Sequence, residues 1–332
     1  MYRNLIIGIT VLFLALFSLF SPTLAETTLK GGQILAPSAA QSKGLDKWAE
    51  LVKKRSNGEI ILQNFHSSQL GSSMQQIENV IEGSQDYYLG IMGWYGRYHS
   101  DLKAVGIPYV FRNRDHYNKY LASSLFQDPI KKIEQDRGII FVNKGWTWTR
   151  GSDRILLTRR PIFNPDDLKG LKMRMYQSDS AIASWRQLGA NPIVVAFAEA
   201  YLAMKNRTVD GITEVIDTAW DHRHTEVLKY ITMTYEFYQS PCIIFNKSKW
   251  ESLSPQNQKL LIEASNEAGT WYTSYSYDYM LSRKKDVIDK HGVSVIEVPL
   301  KPWQDKMRPS YPKLEKMLDI SDGYLEKIMA IK

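Results

Sequence analysis

Apolar residues recur along this chain in two alternating rhythms. Leu45, Trp48, Leu51 and Val52 fall at helical spacing and stop at Ser56-Asn57-Gly58, after which Ile60 to Leu62 reads as a strand. The next helical set is Met74, Ile77, Val80 and Ile81, with Ser72 or Ser73 as its cap and Gly83 as its stop, and Tyr87 to Ile91 follows as a second strand. The alternation continues through strands at Ile139 to Val142 and Ile155 to Leu157 and a helix carrying Ile182, Trp185 and Leu188. Strands alternating with helices predict an α/β fold, with sheets covered by helices on both faces.

From Ser254-Pro255 the pattern changes. A Ser-Pro helix start is followed by Leu260, Leu261, Ala264, Ala268 and Trp271, an amphipathic series that runs to about Arg283 and predicts one long helix lying across the molecule. No internal repeat, low-complexity stretch or flexible linker is evident. A chain of roughly 300 residues exceeds what one hydrophobic core serves, so two lobes joined by crossing strands are expected.

The N-terminus changes the picture of where the protein works. Arg3 precedes an apolar run from Leu5 to Phe20 and the small-residue site Thr23-Leu24-Ala25, the pattern of a secretory signal peptide cut after Ala25. An uncleaved anchor is the competing reading, disfavoured by the length of the run and the polar Glu26, Thr27 and Thr28 beyond it. Cys242 is the only cysteine, so no internal disulfide forms and none can carry a lipid at the cleavage site. A free periplasmic protein is the expectation. The formal charge of +7 loses only Arg3 with the leader, leaving +6. That excess is scattered, which argues against nucleic acid and leaves anionic solutes or an anionic partner surface.

Local catalytic patterns are missing: there is no G-x-S-x-G, Walker loop, G-x-G-x-x-G, C-x-x-C or H-E-x-x-H. The best metal candidate is Asp221-His222-Arg223-His224-Thr225-Glu226, which with Arg223 and Lys229 nearby reads as a surface helix instead. Cys242, between Pro241 and Ile243, reads as a small buried hydrophobe.

The stretch from Trp146 to Asp217 is the informative one. In Leu171-Lys172-Met173-Arg174-Met175-Tyr176 the apolar positions alternate with Lys172, Arg174 and Tyr176, so Arg174 points away from the packed face. A solvated strand arginine and a ligand anchor both fit this pattern; open α/β sheets bind ligands beyond the carboxyl ends of their strands, where Arg174 would lie.

Four motifs in order carry a family likeness: Asn164-Pro165-Asp166-Asp167-Leu168-Lys169-Gly170-Leu171-Lys172-Met173-Arg174, Leu188-Gly189-Ala190-Asn191-Pro192, Phe197-Ala198-Glu199-Ala200-Tyr201-Leu202-Ala203, and Val209-Asp210-Gly211. With Gln69-Leu70-Gly71, Ile107-Pro108-Tyr109-Val110-Phe111 and Leu253-Ser254-Pro255, the chain resembles the TRAP-transporter solute-binding proteins of the DctP type. The resemblance implies a two-lobed, type II periplasmic-binding-protein-like fold with a cleft between lobes. Laid on that fold, residues 26–150 with about 240–279 make one lobe, and about 151–239 with 280–332 the other.

The resemblance also implies roles. Arg174 matches the arginine that grips the substrate carboxylate with two parallel donors, each charge-assisted bond contributing roughly 1.5–3 kcal/mol. Arg154 matches a second family arginine, with Arg150 its nearest competitor, and Phe197 matches a pocket phenylalanine. Glu214 departs from the pattern, since the family commonly has asparagine there. An acid at that place repels a carboxylate unless it pairs with an arginine, a ligand ammonium or ligand hydroxyls. Trp94, Trp146 and Trp148 are placed on loops at the cleft, where their rings would stack on a ligand ring. The expected ligand is therefore a ring-bearing monocarboxylate: an aromatic acid, an amino acid or a sugar acid.

The function this implies is capture of a small organic carboxylate by hinge closure and delivery to TRAP membrane permease subunits, by a monomer that needs no cofactor or metal and breaks no bond. Two alternatives remain at this level: a binding subunit that signals to a sensor kinase, and a periplasmic enzyme using Glu214 or His222 as general base.

Overall fold

The computed structural model describes residues 26–151 and 154–332. The expected leader at residues 1–25 lies outside the described residues. Among them, no helix is long and apolar enough to cross a membrane.

Two sheets organise the molecule. The first is built from β1 (Thr27–Gly32), β2 (Ile60–Phe65), β3 (Tyr87–Ile91), β4 (Ile139–Phe141) and β10 (Pro241–Asn246), in the order β2-β1-β3-β10-β4. β1 runs parallel to β2 and β3, whereas β10 runs antiparallel to β3 and β4. The second contains β5 (Arg154–Thr158), β6 (Lys172–Met175), β7 (Asn191–Val194), β8 (Gly211–Val215), β9 (Tyr230–Met233) and β11 (Ser294–Glu297), in the order β11-β9-β5-β8-β6-β7. Each sheet is covered by helices, giving the two-lobed α/β architecture that the alternating pattern predicts.

Local chemistry explains the element boundaries. The helix Ser73–Glu82 starts at Ser72, whose side chain accepts from the Gln75 N–H while Gln75 reaches back to the Ser72 N–H, and it ends at Gly83 with φ 82°. The long helix Pro255–Asp289 is capped by Ser254 and runs 35 residues, a turn and more beyond the expected end. Its buried residues Leu261, Ala264, Ala268 and Tyr272 belong to the core under the first sheet, and Val287 to a core of the second. One helix thus ties both lobes together.

The C-terminal segment also touches both. Trp303, Met307 and Leu314 share a core with Trp185 and Leu188 of the second sheet's side. The Tyr311 hydroxyl donates to the Pro108 carbonyl at 2.9 Å, and a ring nitrogen of His116 lies 2.8 Å from the Ile328 carbonyl.

Candidate functional site

A cavity of about 370 Å³ lies between the sheets, within the size range of small-molecule sites. Gln41, Ser72, Tyr88 and Trp94 border it from the first lobe. Arg174, Arg154, Phe197 and Glu214 border it from the other side, and Arg150 from the passage between β4 and β5.

Arg174 stands near the carboxyl end of β6, opposite Ile193 of β7 and Ile212 of β8. It is 5% exposed. Its Nε donates to the Val195 carbonyl at 3.0 Å, and its guanidinium carbon lies 5.5 Å from the Phe197 ring centre. Neither terminal nitrogen has a hydrogen-bond partner among the described residues, so the two-pronged end of the fork is available to the cavity. Burial pulls its pKa down to about 10, the Arg154 charge adding to that and Glu214 opposing it, so the group stays cationic at neutral pH.

The other two arginines are partly engaged by the protein. Arg154, at the start of β5, lies 3.3 Å from Glu236 through Nε and donates through Nη2 to the Thr213 carbonyl at 2.7 Å and hydroxyl at 3.0 Å. Glu236 is buried and also accepts from the Thr213 and Thr234 hydroxyls. Arg150 donates to Gln239 Oε1 at 3.1 Å and to the Thr218 hydroxyl at 2.6 Å. Glu214 therefore bonds to neither arginine; its Oε1 lies 2.8 Å from His224 Nδ1.

Phe197 sits in the short 3₁₀ turn Phe197–Glu199, one face under Arg174 and its edges toward His222 and His224, at 4.6 Å and 5.9 Å between ring centres. Trp94 borders the cavity and meets Tyr176 edge-on at 5.2 Å.

The structure corrects the placement of two tryptophans. Trp146 packs on Phe126 and Phe141, and Trp148 is wholly buried, its indole N–H donating to the Ser265 carbonyl at 2.9 Å. Neither borders the cavity, because Trp146 packs against one apolar cluster and Trp148 is buried within another. The Asp221–Glu226 stretch is not a surface helix either. Arg223 adopts φ 62°, which separates the helices Ile216–Asp221 and His224–Val227 and turns His224 into the protein. Among the described residues no group of three or more metal-ligating side chains forms. Cys242 is buried as expected, and burial pushes its thiol up.

Residues that sequence patterns did not single out include Glu236, Gln41 and Gln239. Gln41 carried a faint signal: it is a polar residue on the buried side of the helix Ala40–Arg55. Glu236 carried none, since its role depends on β5 and the segment after β9 meeting in space.

Comparison with known proteins agrees with this geometry. Residues 31–317 match the family model described as "Bacterial extracellular solute-binding protein, family 7", DctP. The chain belongs to this family. A protein of Haemophilus influenzae without a described function is 30% identical over 321 residues, covering 94% of this chain and 93% of that one. The 2,3-diketo-L-gulonate-binding periplasmic protein YiaO of Escherichia coli is 29% identical over 289 residues, 86% of each chain. The crystal structure of a TRAP periplasmic solute-binding protein from Polaromonas sp. JS666 bound to D-erythronate superposes with a TM-score of 0.81 at 26% identity, covering 92% of this chain and 99% of that one. The family-7 fold thus accounts for both sheets and for the cleft between them.

Proposed function

We propose that this family-7 protein is the periplasmic receptor of a TRAP transporter and that it captures a small monocarboxylate bearing hydroxyl or amino groups. The observation that carries the reading is Arg174: a buried guanidinium at the cavity, held through Nε by the Val195 carbonyl, whose two terminal nitrogens have no hydrogen bond among the described residues. Paired parallel donors match a carboxylate, and in a low-dielectric site the match contributes more than it would in water.

A single carboxylate is favoured over two because Arg154 is already matched by Glu236 and Arg150 is held by Gln239 and Thr218. A second carboxylate would also have to approach Glu214, which borders the same cavity. The case for a ring in the ligand loses Trp146 and Trp148, leaving Trp94 and Phe197 as aromatic surface at the cavity. Sugar acids, open or cyclic, fit what remains. The relatives that bind 2,3-diketo-L-gulonate and D-erythronate support this class, each being an acid rich in oxygen. In this reading, closure around the acid presents a surface to the membrane permease.

Calorimetry with D-erythronate, galacturonate, amino acids and succinate tests the proposal. Arg174→Ala is expected to abolish detectable binding of the preferred acid and Arg174→Lys to bind poorly, since an ammonium cannot present the planar fork. Binding by either variant within about threefold of wild type, a difference under roughly 0.7 kcal/mol, would overturn the anchoring role. A wild-type preference for succinate would overturn the ligand class.

A further inference from the structure

The two oxygens of Glu214 have different surroundings. Oε1 meets His224 Nδ1 at 2.8 Å, and the two side chains are only 5% and 1% exposed. A carboxylate can only accept, so Nδ1 carries the proton of this bond. Oε2 is buried and has no partner among the described residues, although Glu214 borders the cavity. A buried carboxylate oxygen without a donor is costly, and the cavity is where one can arrive.

Several features hold this arrangement. The left-handed backbone at Arg223 directs His224 inward. Phe197 meets both imidazoles in T-shaped contacts and lies under the Arg174 guanidinium. His222 does not compete for Glu214: burial, with His224 adding to it and Glu214 opposing, pushes its pKa down to about 4, so it stays neutral. Arg174 and Glu214 lie on the neighbouring parallel strands β6 and β8, with Glu214 two residues beyond the Ile212 that faces Arg174. Residues two apart on a strand share a face, so a donor reaching Oε2 belongs close to the carboxylate that Arg174 holds.

We propose that His224 is a positioning residue for ligand selection, fixing Glu214 through Oε1 so that Oε2 accepts from a hydroxyl or ammonium group on a carbon near the ligand's carboxylate. The proposal rests on the reading of the site as a monocarboxylate receptor and adds the device that separates substituted acids from plain ones. Without His224, Glu214 would have to be ordered by the ligand itself, and part of the preference would be lost to that ordering.

The test compares D-erythronate with butanoate, the same four-carbon acid without its hydroxyls, by calorimetry and by competition on four proteins. Wild type is expected to prefer D-erythronate. His224→Leu should lower affinity for D-erythronate about tenfold or more while leaving butanoate within about threefold, and His224→Gln, whose amide can still donate to Oε1, should recover most of the loss. Glu214→Gln should lose the preference. Should His224→Leu not fold, His224→Asn decides in its place, its shorter amide falling short of Oε1. An equal loss for both acids marks His224 as merely structural and overturns the proposal. A preference that survives in His224→Leu overturns the role of His224 but leaves the receptor reading intact. A wild type with no preference for D-erythronate over butanoate overturns the ligand class, and this inference with it.

Discussion

Arg154 and Arg174 stand on strands separated only by β8 and carry the same charge, yet one is bonded to an acid and the other is not. Glu236 matches the first, whereas no acid forms an ion pair with Arg174 among the described residues. The same contrast between neighbours appears at Asp221 and His222. Burial pushes Asp221 up to about 6, the Tyr279 hydroxyl opposing at 2.6 Å and Asp217 adding to the rise; burial pushes His222 down to about 4. The signs follow from linkage. The folded state holds the Asp221 proton more tightly than the unfolded chain, so that contribution to stability falls as pH rises between about 4 and 6. The folded state resists protonating His222, so its contribution rises over nearly the same window, and the two offset each other. Thermal unfolding from pH 4 to 6.5 checks this. Asp221→Asn is expected to gain stability relative to wild type as pH rises, and His222→Gln to lose it. Curves that stay parallel to wild type would show that neither group titrates in this window.

At the scale of elements, legibility followed locality. The helix capped at Ser72, the strand at Tyr87–Ile91 and the alternation in Leu171–Tyr176 could be read because each depends on residues a few positions apart. The fates of Trp148 and His224 could not. Trp148 is buried because the helices Ala40–Arg55 and Pro255–Asp289 approach closely at two glycines. A Cβ on Gly44 would come within 2.8 Å of the Trp148 ring, and one on Gly269 within 2.5 Å. His224 is buried because one residue, Arg223, takes a left-handed backbone that helical spacing does not reveal. The glycine contact gives a direct test. Alanine is favoured over glycine inside a helix by about 1 kcal/mol, but overpacking a core typically costs about 1–3 kcal/mol. Gly269→Ala is therefore expected to be destabilising in urea unfolding despite its better helix propensity. A variant at least as stable as wild type would mean that Trp148 moves aside at little cost, and that the crossing of the two helices is looser than these distances imply.

Across the whole molecule, the chain passes from sheet to sheet between β4 and β5, returns between β9 and β10, and runs along both again in the helix Pro255–Asp289. The cavity lies where these passages meet, with Gln41 and Trp94 from one lobe facing Arg174 and Glu214 from the other. That the lobes are assembled from separated stretches was legible as an expectation from length and from the absence of a linker. Which side chains face each other across the cleft was not, since that depends on how two independently packed sheets are set together. A ligand held between lobes gains contacts to both only when they approach, so binding should favour a closed arrangement by its differential affinity for that state. Small-angle scattering with the preferred acid is expected to report a smaller radius of gyration at saturation than without it. Arg174→Ala, mixed with the same concentration of acid, should keep the ligand-free profile, which separates closure from any general effect of the solute on the solution. A wild-type profile that does not change at saturation, in a sample whose binding calorimetry confirms, would mean that the cleft is preformed and that the hinge does not operate on binding.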